Sequence, residues 1–88
     1  MAVIRKGNVI SMGAVSDTVE GKFKITGITA AGTANFQLKL ATGESLDEVF
    51  VNVRGVANDH VSLSFKCLPI EDIKVLAKGT DEVFIYFE

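Results

Sequence analysis

Apolar side chains recur at every second position through most of the chain, and clusters of Gly, Asn, Asp and Thr interrupt them. That period predicts short β-strands joined by turns, with no helix. The first strand is expected at Ala2 to Arg5 and the second at Val9 to Val15, interrupted at Gly13 by a bulge or a close backbone approach. Lys22 to Thr26 alternates Phe23 and Ile25 with lysines, and Ile28 continues it beyond Gly27. Ala30 to Asn35 reads as a flexible loop of small residues. Phe36 to Leu40, the turn Ala41 to Ser45 and Val49 to Val53 predict a hairpin with a longer loop. After a turn from Gly55 to His60, the run Val61 to Cys67 alternates most cleanly, placing Val61, Leu63, Phe65 and Cys67 inward, and Pro69 is expected to end it. Ile70 to Ala77 also fits a helical face, but its β-branched content favours a short turn followed by a strand. Lys78 to Asp81 is a turn before the last strand. The expected fold is all-β: a small antiparallel β-sandwich or barrel-like domain of about seven or eight short strands, with residues 1–88 forming a single domain.

The last strand, Val83-Phe84-Ile85-Tyr86-Phe87, is apolar on both faces. Val83, Ile85 and Phe87 point one way, Phe84 and Tyr86 the other. A small sheet has one core, so the second face calls for another layer or another molecule. The Val83 set is assigned to the core, because three aliphatic or aromatic side chains fill a layer better than two that include a hydroxyl. Asp47-Glu48-Val49-Phe50-Val51 repeats the pattern of Asp81-Glu82-Val83-Phe84-Ile85. An acidic pair leaving a turn into a β-branched strand is common grammar, yet the repeat also places Phe50 opposite its valines, as Phe84 is. Phe50, Phe84 and Tyr86 are therefore the candidate interface residues.

Composition strengthens that expectation. The apolar class makes up 48% of 88 residues, more than a chain this small is expected to hide alone, which predicts an apolar patch covered in the working state. A net charge of −2 with dispersed lysines and arginines argues against a nucleic-acid surface. One cysteine permits neither an internal disulfide nor a four-ligand zinc site based on cysteine. Met1 to Lys6 lacks the layout of a signal peptide, and no apolar run approaches the length of a membrane span, so synthesis in a reducing cytoplasm with no membrane partner is expected.

Candidate chemistry is sparse. His60 and Cys67 bracket a strand of about 20 Å, too long for a nucleophile–base pair, so Cys67 is expected to be an inert core residue and His60 a solvated turn residue. The acidic pairs Asp47-Glu48, Glu71-Asp72 and Asp81-Glu82 point to opposite faces of their strands and follow no calcium-loop pattern; edge protection and solubility are their expected roles. Gly27 and Gly32 bracket small residues without the Lys-Ser/Thr of a phosphate loop. No catalytic, cofactor or metal site is expected.

Gly21 to Thr29 with its small-residue loop, Leu68 to Val75, and the closing segment Gly79 to Tyr86 together resemble, in strand cadence and turn chemistry, the small all-β accessory proteins of tailed bacteriophage particles. The resemblance spans about three quarters of the chain and carries no diagnostic motif. It implies a virion protein made in the host cytoplasm, acting in capsid decoration, as cement, or as a small head or tail component through symmetric or lattice contacts. The leading expectation is a non-enzymatic structural or interaction domain with a protein partner, forming a homo-oligomer or docked on a larger viral assembly. The alternative is a small phage-encoded inhibitor of a host defence enzyme. A carbohydrate-binding β-sandwich ranks below both, since the chain has no Trp and one Tyr.

Overall fold

The computed structural model describes residues 3–43, 45 and 48–88. Seven strands, β1 Val3–Lys6, β2 Val9–Met12, β3 Thr18–Gly32, β4 Phe36–Thr42, β5 Glu48–Gly55, β6 Asp59–Ala77 and β7 Val83–Phe87, form one sheet in the order β1-β2-β7-β3-β6-β4-β5. Every pairing is antiparallel, and no helix occurs among the described residues. The all-β, antiparallel expectation holds.

Two long strands organise the sheet. β3 and β6 pair along most of their length, with register shifts between Val19 and Lys22 and between Ile25 and Gly27. At the first shift Glu20 and Gly21 oppose Asp72 alone, and at the second Thr26 opposes Phe65, Lys66 and Cys67. Extra residues of this kind bend the strand and raise its twist. Asp72 takes φ 56° and Gly21 φ 135° at the first bend. The Gly21 N–H donates to Asp72 Oδ1 at 2.8 Å, and Thr42 Oγ1 reaches the Glu71 carbonyl at 2.7 Å, which satisfies the displaced backbone.

The bends wrap one face of the sheet around the core. Ile10, Ile28 and Ile85 are register neighbours on β2, β3 and β7 and are completely buried. Met12, Ile25, Leu38, Leu40, Ile73, Val75 and Val83 join them with no exposed surface. Burial of each such side chain contributes about 1.5–3 kcal/mol. Near one margin Phe23 and Phe87 meet edge to face at 5.2 Å between ring centres, and the Arg5 guanidinium lies 4.9 Å from the Phe23 ring and 5.4 Å from the Phe87 ring. A cation over two ring faces covers apolar surface while keeping its charge in water.

Several expected boundaries differ. Ala30 to Gly32 is strand, because it pairs with Asp59 to Val61 of β6; on it the Gly79 backbone also packs, so closely that a Cβ added to Gly79 would stand 2.5 Å from the Ala31 carbonyl oxygen. Only glycine permits that approach. β6 continues through Pro69 to Ala77. At Pro69 the strand has a partner on its β3 side only, since β4 joins from Ile73 onward, so the ladder tolerates a residue without an N–H. β2 stops at Met12, where the Asp17 carboxylate accepts hydrogen bonds from the Gly13 and Ala14 amides at 3.1 and 2.9 Å. β1 is shifted toward Lys6, and Ala2 lies outside the described residues. Strands that were expected to be separate and short are continuous and bent.

Candidate interaction site

Antiparallel register neighbours carry their side chains to the same face of a sheet. Two rows cross the outer face opposite the buried isoleucines. One is Ile4, Ser11, Phe84, Thr29 and Ser62; the other is Lys6, Val9, Tyr86, Gly27 and Ser64. Phe84 retains 38% of its surface in solvent, Tyr86 39% and Ile4 54%, while Val83 and Ile85 beside them have none. The division of β7 into a core face and an outer face is the one its sequence implies, with Phe87 half-buried against Phe23.

The surroundings of the aromatics are small or polar. Gly27, Thr29, Ser62 and Ser64 leave the β3–β6 side low, and Tyr86 lies beside the bare Gly27 backbone. A groove of about 370 Å³ runs along Phe84 and Tyr86 to Thr29, Ala31 and His60, with Asp81 and Glu82 at its end. The Ser11 hydroxyl donates to Glu82 Oε2 across the β2–β7 pair, which holds that carboxylate at the patch boundary.

Phe50 does not join this face. β4 and β5 slip register between Leu40 and Ala41, leaving Phe50 as the extra residue between Val49 and Val51. It turns onto the core, half-buried, while Val49 stays 41% exposed. The orientation is the reverse of that at Val83 and Phe84, so the sequence repeat is not a structural repeat. The first residue of its earlier copy, Asp47, lies outside the described residues. Ile4, by contrast, belongs to the outer face and was missed. Its signal was alternation in the edge strand, where Val3 packs on the core and Ile4 therefore faces outward.

Cys67 departs furthest from expectation. Thr26 opposes the three-residue bulge that contains it, and the alternation that carried Val61, Leu63 and Phe65 breaks there. Cys67 sits half-exposed at φ 49°, with Sγ 3.1 Å from Glu88 Oε2. The neighbouring Glu88 carboxylate, helped by partial desolvation, raises the thiol pKa. That opposes nucleophilic behaviour. His60 is the second residue of β6 rather than part of a turn; it is exposed, and its Nδ1 is 3.7 Å from Asp59 Oδ1. No group of three or more His, Cys, Asp or Glu side chains arranged to hold a metal occurs among the described residues.

A larger groove, about 560 Å³, lies between Lys22, Phe23 and Lys24 on β3 and Pro69, Ile70 and Glu71 on β6. Lys22 and Glu71 are cross-strand partners, so opposite charges face each other along its wall. Glu88 also lines it, and none of its lining residues is Ser, Thr, Cys or His. No helix among the described residues is long and apolar enough to cross a membrane. No family model, curated protein or solved structure matches the chain.

Proposed function

We propose that this protein is a non-enzymatic interaction domain that acts by burying the Phe84–Tyr86 face against protein, as a structural component of a larger assembly. The observation that carries the reading is the asymmetry of β7. Val83 and Ile85 are fully buried, while Phe84 and Tyr86 on the same five-residue strand remain more than one third exposed beside Ile4. Aromatic side chains bring large contact area at low entropic cost and are enriched among the residues that dominate binding. A rim of charged and small polar residues around an apolar centre is the usual anatomy of a protein contact. The assembly in view is a virion, in the decoration, cement or small head and tail roles; its support is the resemblance in strand cadence and turn chemistry.

Sedimentation velocity from micromolar to millimolar concentration tests the contact, and quantification of the protein in purified particles tests the assembly. The expected results are a mass above 9.4 kDa for the wild type, its loss in Phe84→Ser, and many copies per particle. Wild type and Phe84→Ser that sediment alike and load equally onto particles would contradict the reading, and absence from particles would remove the virion role.

A further inference from the structure

Resting on the reading of this face as a contact surface, we infer that its partner is a second copy of the chain, packed face to face about a two-fold axis that exchanges Lys6 and Glu82. The two residues occupy opposite corners of the apolar patch. Lys6 shares a row with Val9 and Tyr86. Glu82 lies beyond Phe84 on the same face, accepting a hydrogen bond from Ser11 Oγ. At ordinary strand spacing and rise they are separated by about 10 Å across the strands and about 14 Å along them. The midpoint falls close to Ser11.

A patch with a positive corner and a negative corner is complementary to itself. A two-fold axis lying in the face near Ser11 sets each Lys6 on the other copy's Glu82 and makes both ion pairs at once. Phe84 then lies over the other copy's Val9 and Tyr86, so the apolar centre closes while the charges sit at its rim. The arrangement is isologous: each contact is made twice, and this contact closes on itself instead of propagating a filament. Ser11, a small residue at the centre with 8% exposure, does not hold the two faces apart.

The available area sets the strength. Five strands span about 24 Å and the rows about 14 Å, about 340 Å² per copy, so the contact buries at most roughly 700 Å² over both copies. That is below the range of stable specific interfaces, so association is expected to be weak, a reversible dimer forming between roughly 100 μM and millimolar concentration. Rim charges of this kind govern register and encounter more than total affinity.

The experiment is a charge exchange read by sedimentation equilibrium, with circular dichroism confirming the fold of each protein. Lys6→Glu and Glu82→Lys each place like charges at both corners and should weaken self-association about tenfold. Mixed one to one, they should form a heterodimer near wild-type affinity, because both corners become attractive again. If Glu82→Lys does not fold, Lys6→Glu mixed with wild type reads the same geometry: one corner stays attractive, and the mixed pair should fall between the two homodimers. Single variants that associate like the wild type, while Phe84→Ser does not, would overturn the exchange of corners and leave the face in place. A wild type that stays at one-chain mass would overturn the second copy as partner. Phe84→Ser associating like the wild type would remove the face itself.

Discussion

Tyr86 and Gly27 are direct register partners on β7 and β3, and a Cβ added to Gly27 would stand 3.7 Å from Tyr86 Cδ2. The tyrosine ring thus lies beside backbone that has no side chain of its own, which is how an aromatic neighbour supports a glycine within a sheet. Phe84, one row away, has Thr29 and Ser11 as its register partners. Tyr86→Ser should therefore lower both stability, by about 1 kcal/mol, and association. Phe84→Ser should leave the urea midpoint nearly unchanged while weakening association by about 2 kcal/mol, roughly 30-fold. Urea unfolding and sedimentation on the same samples separate the two effects.

Ile85 is fully buried between Ile10 and Ile28. Ile85→Ser introduces a cavity and an unpartnered hydroxyl at the centre of the sheet, with an expected loss of about 3–5 kcal/mol. Phe87→Ser should cost less, about 1–3 kcal/mol, since Phe87 is half-buried and its ring meets Phe23 and Arg5 at the margin. Chemical denaturation should rank the two in that order.

Cys67 holds a left-handed backbone at φ 49° outside the core. Cys67→Gly should stabilise the fold by about 0.5–1 kcal/mol, because relief of the left-handed penalty exceeds the added freedom of the unfolded chain. The wild-type thiol should react slowly with maleimide at neutral pH, since Glu88 opposes thiolate formation. Stability measured by urea and thiol kinetics under native conditions check the two outcomes.

Asp17 gives a prediction for acid. Partial desolvation pushes its carboxyl up, but donors around it, the Ala14 and Gly13 amides among them, prevail and hold its pKa below the ordinary value of 3.8. A folded-state pKa below the unfolded one means that the group's stabilising contribution is complete above the unfolded pKa and is lost as pH falls through the folded one. Asp17→Asn should remove that part of the acid dependence. Unfolding midpoints of the two proteins should differ at neutral pH and converge as pH falls through the folded-state pKa, which lies below 3.8.

The alternation of apolar residues made the antiparallel class, the β4–β5 hairpin and the two faces of β7 legible before any coordinates. It failed where the backbone changes phase. Phe50, Cys67 and Asp72 all sit at register shifts; aspartate is among the residues that enter positive φ more readily, but cysteine is not, and nothing local marks where the shifts fall. One extra residue in a strand inverts every inference drawn from alternation beyond it. That is why Phe50 turned inward and Cys67 left the core. Ala30 to Gly32 pairs with Asp59 to Val61 and packs against the backbone of Gly79, contacts with distant segments that local composition does not express. The charge arrangement of Lys6 and Glu82 likewise exists only once β1, β2 and β7 are placed side by side.

Hydroxyl-radical footprinting at rising protein concentration tests the central claim, that the outer face of β7 is the contact surface. Phe84 and Tyr86 should lose reactivity as the protein associates, while Val56, 65% exposed in the β5–β6 turn, should keep its own. Phe84 and Tyr86 that remain as reactive in the associated protein as in the dilute one would contradict the account.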